Sequence, residues 1–528
     1  MIWDYIVIGA GSAGCALAYE LARSGPQKTV LVLEAGGWDR SPFIKIPAGQ
    51  PRASAKHDWG YRSQPDATRN GASENWKRGR VLGGSSSING MIYVRGAAED
   101  FDRWSERCGN VGGWSAREII PIFREFETSD QNGPLRGRAG PQYVTTVRHP
   151  HAITEAFVKS ACAAGRSFNE DYNGRSQEGV SYLQRSQRKG LRCSAADAFL
   201  RPLLSSSNLK LLVNALVEKI EVVNGRAVAV SFLYKGKQRR EMARDIILCA
   251  GVINSPKLLM LSGIGDAQEL NRHNIAVVLD RPEVGRNLKD HPLMRLVYRS
   301  KIPTYNLTEG LLQKLSIVAK FIRYREGPIS AGFESTAFLK TDPSEPVPDI
   351  QLYFAPIGYV GKMGGTGGFT PYPAFMTCIA KTHPVSSGCI RLASNDPNDS
   401  PLIECRLLAD QADVDTLVRG IETVRGIMKR DPIASLIEAE ITPGAAVGNE
   451  EAMREFVRAH AEVSLHPNGT CRMGVDAGAV VGPDLRVRGT DNLWIADASI
   501  MPDHISANLN AVCMMIGIKL GKQLVASR

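Results

Sequence analysis

The chain has 528 residues, with 64 Lys and Arg against 54 Asp and Glu, for a formal net charge of +10. That length exceeds one compact core, and an ordinary composition (43% hydrophobic, 22% charged) excludes a disordered or collagen-like chain. The densest basic run, 235–240 (KGKQRR), is followed at once by Glu241 and Met242, so it reads as a solvated hairpin end rather than a nucleic-acid arm.

The ten cysteines are scattered without a CxxC pair, which suits reduced core thiols in the cytoplasm. The apolar opening run, 5–8, is too short for a secretory signal, and no stretch reaches the ~20 apolar residues of a membrane span. Cytoplasmic location is expected, with peripheral membrane attachment left open.

In chain order, residues 4–9 (DYIVIG) are apolar and β-branched, as a buried parallel strand should be. Gly9-Ala10-Gly11-Ser12-Ala13-Gly14 matches GxGxxG, and Cys15, Leu17, Ala18, Leu21 and Ala22 then recur at helical spacing. A second apolar strand, 29–33, ends in Glu34 and Ala35. Gly9 permits the tight turn, Gly11 admits a pyrophosphate to the backbone, and Gly14 lets helix and strand pack closely. The helix start offers free N–H groups to phosphate, and Glu34 would accept from ribose hydroxyls. A carboxylate there disfavours NADP, but this segment alone does not separate NAD from FAD.

Residues 77–96 read KRGRVLGGSSSINGMIYVRG, with Arg80, Gly84, Ser85 and Asn89 gathered too densely for a linker. Small donors beside glycines suit a backbone pressed against a flat polar ligand. This stretch resembles the first signature of the glucose-methanol-choline (GMC) oxidoreductases. Further segments resemble the same family in the same order: GVINSP at 251–256, VGRNLKDH at 284–291, HPNGTCRMG at 466–474 and WIADASIMP at 494–502.

The resemblance implies FAD rather than NAD, held by Gly9, Gly11, Ser12, Ala13, Gly14, Glu34 and Ala35 at the N-terminal turn. It also implies contacts from Arg80, Gly84 and Ser85, with Asn89, Gly90, Met91 and Ile92 passing beside the isoalloxazine ring. Val217, in a strand-like region 211–220, would meet adenine. Ala250, Gly251, Asp497, Ala498 and Asn508 complete the implied set, beside a helix beginning near Asn510. Some relatives carry a flavin-linked histidine where this chain has Ile88, so non-covalent FAD is expected.

The implied fold is mixed α/β. A Rossmann-like FAD domain comprises residues 1–147, 208–299 and 480–528. A discontinuous substrate domain of antiparallel sheet plus helices comprises 148–207 and 300–479. Within the latter, 311–324 has helical spacing, whereas 335–339, 349–355, 374–380 and 387–392 are strand-like and 412–429 is a further helix. Residues 361–368 (GKMGGTGG) lack periodicity and read as a mobile loop near the site entrance.

The chemistry implied by the resemblance is oxidation of an alcohol, a primary one by family precedent, to the aldehyde. His466 acts as general base, hydride passes to flavin N5, and O2, a quinone or another acceptor reoxidises the flavin. Among nine histidines, His466 stands out because it opens the motif that aligns with the family's active-site element. Asn508 would partner it, with helix capping as the bland alternative. Glu334 resembles a substrate-cavity glutamate of choline-oxidising relatives, though a structural ion pair is the more ordinary role, and His504 is a further pocket candidate. Ser464 is placed near the flavin edge. The rival reading is a FAD-containing lyase of the same family, cleaving cyanohydrins or decarboxylating. No metal is expected, because His149 and His151 lack helical spacing or a carboxylate cluster. No internal repeat is visible, and oligomeric state is left open.

Overall fold

The computed structural model describes residues 2–307, 310–330, 332–361 and 367–527, with the backbone alone at 311–313. Residues 362–366 of the GKMGGTGG segment lie outside the described residues.

The first sheet has seven strands. Leu209–Val213, Val30–Glu34, Ile2–Ile8 and the second half of Lys237–Leu248 run parallel, and Leu493–Ile495 adds to the last of these. Such strands are buried on both faces, and Val30–Glu34 is buried at every position. Lys237–Leu248 changes character along its length. Its basic first half is exposed and pairs antiparallel with Arg226–Tyr234, while its apolar second half enters the core. The turn between them, Lys235-Gly236, takes positive φ at both residues (52° and 72°), as a tight hairpin requires. KGKQRR is therefore a solvated hairpin end.

The region expected as one strand at 211–220 is two, Leu209–Val213 and Ala215–Val223. Asn214 breaks it with φ 56° and donates its N–H to the Gly36 carbonyl at 2.8 Å. That bend sends Val217 over the cavity mouth of the nucleotide site.

The second sheet is antiparallel, in the order Ile437–Thr442, Pro292–Ser300, Ala374–Lys381, Ile350–Ala355, Ser335–Leu339, Gly179–Tyr182. Its side chains alternate as the period of two demands. Met294, Leu296, Leu352, Phe354, Phe375 and Ile379 face the helices Ala152–Ala163, Gln411–Met428 and Glu450–His460. Val297, Tyr353, Met376 and Cys378 face the other way. That second face closes the site.

Two expectations change here. A boundary at 299 fails, because Pro292–Ser300 is a central strand of the second sheet, bonded to Ala374–Lys381 and Ile437–Thr442. The strand-like 387–392 is not part of that sheet either. Cys389–Arg391 pairs only with Leu402–Glu404, and Ile390, Leu392, Ile403 and Leu407 pack into the core of the first sheet, as do Phe199 and Leu200. The ends of the inserted segments thus wrap back onto the nucleotide-binding half.

Candidate functional site

A cavity of about 990 Å³ runs between the two sheets, from the Gly9–Ser12 turn to His466 and Asn508. Its nucleotide end is built by backbone approach. Gly9 has φ 99°, and a Cβ at Gly14 would lie 1.9 Å from the Gly9 carbonyl oxygen. A Cβ at Gly84 would come within 2.7 Å of Gly11 Cα, so the two glycine-rich segments press directly on each other. Gly11, Gly90 and Gly251 line the cavity, yet a Cβ on any of them would meet no protein atom within 4 Å. The room beside them is ligand space.

Three helices begin at this end without a side-chain cap: Ser12–Arg23, Gly251–Leu261 and Asn510–Ala526. Ser12 Oγ donates to Asn510 Oδ1 at 2.7 Å, tying two of these starts together. The N–H groups and positive dipole ends of Ser12–Arg23 and Asn510–Ala526 suit a pyrophosphate, whereas the Asp497 carboxylate already takes the Gly251 N–H. Glu34 lines the same end and accepts N–H groups from Ala10 (2.9 Å) and Gly36 (2.7 Å). Burial pushes its carboxyl up to about 7 against those two bonds and the Arg80 charge. Asp497 accepts from Gly251 N (2.9 Å), Ser255 Oγ (2.6 Å) and Ser499 N (2.8 Å), knitting three segments under the cavity floor.

Arg192 is buried behind the cavity-lining Asn89. It donates to Asn89 Oδ1 and to the Asn89 carbonyl, both at 2.8 Å, and burial lowers its pKa to about 9. Met91 next to it is held at φ 63°, a conformation that L residues rarely adopt without such constraint.

At the far end His466 sits in a cluster of buried histidines whose tautomers the neighbours fix. His291 Nε2 lies 3.0 Å from the Ile505 carbonyl, which only accepts, so the proton is on Nε2. Burial brings the His291 pKa down to about 3, so the ring is neutral and its Nδ1 is a bare acceptor. That Nδ1 lies 3.3 Å from His466 Nδ1, which must therefore donate. The remaining lone pair of His466 is on Nε2, 3.0 Å from Asn508 Nδ2. Asn508 Nδ2 also donates to Tyr353 Oη at 3.2 Å, and Gln351 Nε2 donates to Asn508 Oδ1 at 3.4 Å, which orients the amide. His504 Nε2 donates to the His466 carbonyl at 3.1 Å, and its ring lies 3.7 Å from that of His291.

The loop carrying His466 is strained and braced. Leu465 has φ 63°; Arg78 Nη2 donates to its carbonyl at 2.6 Å, and Asp290 Oδ1 accepts the His466 N–H at 3.0 Å. Burial pushes the Asp290 carboxyl up to about 7. Ser464 Oγ is buried beside the cavity without a protein partner.

Several sequence expectations are corrected by this geometry. Arg80 is exposed, stacks 4.6 Å over Trp59 and does not line the cavity, whereas Arg78 does. Gly14 acts through packing rather than as cavity wall. Glu334 does not line the cavity, and neutral donors take up its carboxylate. Its carboxylate accepts from His151 N (2.7 Å), Thr154 Oγ1 (2.7 Å) and Tyr305 Oη (2.9 Å), closing the start of the Ala152–Ala163 helix. His504 buttresses His466 from behind instead of lining the pocket. Asn508 does not cap the following helix, whose N-cap, Leu509, has no side-chain bond. The other expected residues, including Ala13, Ala35, Ser85, Ile92, Ala250 and Ala498, do line the cavity. Ile88 lines it too. His291, Tyr353 and Arg78 were not singled out from sequence, although His291 closes the VGRNLKDH segment. Among the described residues no group of His, Cys, Asp and Glu could hold a metal.

Two family models, both described as GMC oxidoreductase, match residues 3–293 and 384–517. The chain is 37% identical to an alcohol dehydrogenase [acceptor] of Pseudomonas putida, over 98% of this chain and 94% of that one. It is 38% identical to an oxygen-dependent choline dehydrogenase of Rhizobium johnstonii, over 99% and 96%. A crystal structure of pyridoxine 4-oxidase from Mesorbium loti superposes with a TM-score of 0.90 at 29% identity, covering 99% of each chain.

Proposed function

Because this chain belongs to the GMC oxidoreductase family, we propose that it oxidises a primary alcohol to the aldehyde with His466 as general base and Asn508 as its hydrogen-bonding partner. The enzyme is an FAD-dependent oxidoreductase acting on alcohols. The uncapped helix starts and the open sides of Gly11, Gly90 and Gly251 fit the dinucleotide, with Glu34 and Val217 at its adenosine end and Asn89–Ile92 at its flavin end. FAD, when bound, supplies the electron-accepting chemistry for the carbinol C–H bond. With Ile88 at the position where relatives carry a linking histidine, no side chain there can form that bond, which favours dissociable FAD.

The observation that carries the reading is the His466 Nε2 lone pair facing Asn508 Nδ2 at the wall of the cavity between the two sheets. A substrate hydroxyl entering from the cavity displaces the direct Asn508–His466 hydrogen bond and gives its proton to Nε2, while the freed Asn508 N–H bonds the oxygen as it becomes negative. Asn508 cannot itself take the proton. Tyr353, Phe333 and Met376 wall the cavity beyond, which keeps bulk water from the alkoxide and favours an alcohol with an apolar body. The domain division that goes with this reading places the nucleotide on the first sheet and the alcohol against the second. Screening alcohols with O2 and, separately, a dye or quinone acceptor, with aldehyde as the measured product, tests the reaction and identifies the acceptor. Absence of aldehyde with every pair would refute it.

His291 is a positioning residue in this reading. His291→Phe leaves His466 Nδ1 without its acceptor, so the base no longer holds a single tautomer. Flavin reduction is expected to slow by about 10- to 1,000-fold with FAD content unchanged, and His291→Asn, which keeps an acceptor oxygen, should recover part of the rate. Equal reduction rates for His291→Phe and the unaltered enzyme in stopped flow would contradict the role.

The pH dependence has a definite sign. Burial, with His291 and Arg78 nearby, holds the His466 pKa well below the usual histidine range. The neutral ring is the active base, so lowering its pKa extends activity toward acid. The rate of flavin reduction should stay level through neutrality and fall only below the ordinary histidine value of about 6.5. An acid limb centred at or above that value would be inconsistent with the burial seen here.

A further inference from the structure

The helix Leu311–Tyr324 leaves an apolar stripe without a partner. Leu315, Val318 and Ile322 recur at helical spacing, and their exposures are 57%, 45% and 62%. The opposite side of the helix is what anchors it. Lys320 Nζ donates to the His149 carbonyl at 3.2 Å, and a Cβ at Gly190 would lie 3.0 Å from the Phe321 ring. Three large apolar side chains in one exposed row are more than the scattered singles of an ordinary surface.

The helix itself carries only basic charges. Lys314 and Arg323 flank the row, Lys320 lies on the anchored side, and Arg325 follows at the C-cap, with Glu309 before the helix and Glu326 after it. A second exposed apolar pair lies on segment 42–46, where Phe43 and Ile46 are 39% and 40% exposed and Arg52 stacks 5.1 Å over Phe43. The stretches that follow the two segments meet, where Ala48 N donates to the Ile329 carbonyl at 3.0 Å. Pro47 and Ala48 on one side and Pro328 on the other belong to the cavity wall. An apolar row bordered by basic side chains, lying beside the substrate cavity, has the chemistry of a helix resting in a lipid headgroup layer. Its cations match anionic headgroups, and their aliphatic stems can reach past the apolar row. Among the described residues no helix is long and apolar enough to cross a membrane, so contact would be with one face only.

We propose that the Leu311–Tyr324 helix and the Phe43–Ile46 surface dock the enzyme on an anionic bilayer, with the substrate cavity opening close to the lipid. The inference goes beyond alcohol oxidation and does not depend on it. An apolar alcohol dissolved in the bilayer would then have a short path to the site.

The test is co-sedimentation of the FAD-loaded, full-length enzyme with vesicles of phosphatidylglycerol and phosphatidylcholine in equal parts, or of phosphatidylcholine alone. The unaltered enzyme should bind the anionic vesicles at least about tenfold better, and high salt should weaken that binding. A combined Leu315→Ser, Val318→Ser, Ile322→Ser variant should lose at least about tenfold in vesicle affinity, with melting temperature, FAD content and turnover of a water-soluble alcohol unchanged. Lys314→Glu with Arg323→Glu, which leaves the apolar row intact, gives a second reading should the triple variant misfold; it should lose the preference for phosphatidylglycerol. Failure of the unaltered enzyme to bind anionic vesicles would overturn the proposal, as would retained binding in both variants. So would light scattering that shows a dimer dissociating in the triple variant without any lipid binding, since the row would then be an interface between copies.

Discussion

Replacing His466 by Ala is expected to slow reduction of the bound flavin by about 100- to 10,000-fold while FAD remains in place. The size follows from what is removed. His466 Nε2 is the basic atom whose lone pair faces the cavity next to the Asn508 amide, and neither Asn508 nor Tyr353 can replace it near neutral pH. The Tyr353 hydroxyl is fully buried and its pKa is pushed far above neutrality, so it holds its proton. Retention of FAD follows from separation of function. The glycine turn, Glu34 and the three uncapped helix starts lie at the other end of the cavity. Stopped-flow reduction under anaerobic conditions, with flavin content measured from the released cofactor, checks both halves. Normal reduction would remove His466 from the chemistry, and loss of FAD would make its role structural.

Gly14→Val should abolish FAD binding and leave little folded protein. A Cβ at that position would lie 1.9 Å from the Gly9 carbonyl oxygen and 3.1 Å from Cys249 Cβ. The obstruction is backbone, which cannot swing aside as a flexible side chain does. The Ser12–Arg23 helix would have to leave the Ile2–Ile8 strand, and the glycine turn between them would lose its shape. A change of this kind belongs with the costs above about 4 kcal/mol, a large share of a typical domain's stability. Gly426→Ala is the contrasting case. It is exposed within the Gln411–Met428 helix with nothing within 4 Å of its added Cβ, so it should stabilise by about 0.5–1 kcal/mol. Thermal melts and flavin content of the two variants should move in opposite directions. A yellow, normally melting Gly14→Val protein would mean that the turn has slack not visible in this packing.

Much of the nucleotide half was legible because its determinants are local. A strand, a glycine turn and a helix follow one another within 23 residues, and their spacing carries the geometry. His466 and Asn508 were reachable through short motifs for the same reason. What sequence could not supply was contact between distant segments. His291 sets the tautomer of His466 only because the Ile505 carbonyl, 214 positions away, holds its other nitrogen. Arg78 and Arg80 are two residues apart in one basic run, and only the tertiary bend decides that Arg78 turns inward to Leu465 while Arg80 stacks on Trp59. Glu334 illustrates the opposite error. Its resemblance to a glutamate of choline-oxidising relatives suggested a ligand contact, with a structural ion pair as the more ordinary role, whereas its oxygens satisfy the backbone and hydroxyls around a helix start. The boundary expected at 299 failed for a related reason. The strand Pro292–Ser300 begins directly after the His291 motif, so one continuous segment carries both the base's support and the substrate sheet.

That continuity gives the fold a functional sense. His291 and the first residues of Pro292–Ser300 connect His466 to the sheet whose Tyr353 and Met376 wall the cavity.

The most direct test of the central claim is to mix the FAD-loaded enzyme with a broad panel of primary alcohols in the absence of oxygen and follow the yellow absorbance of the flavin. Bleaching by at least one alcohol, with one equivalent of aldehyde per flavin, is the predicted result. Flavin that stays oxidised across the whole panel, above all if the same enzyme cleaves a cyanohydrin or releases CO2 from an acid, would contradict alcohol oxidation and make the chain a lyase.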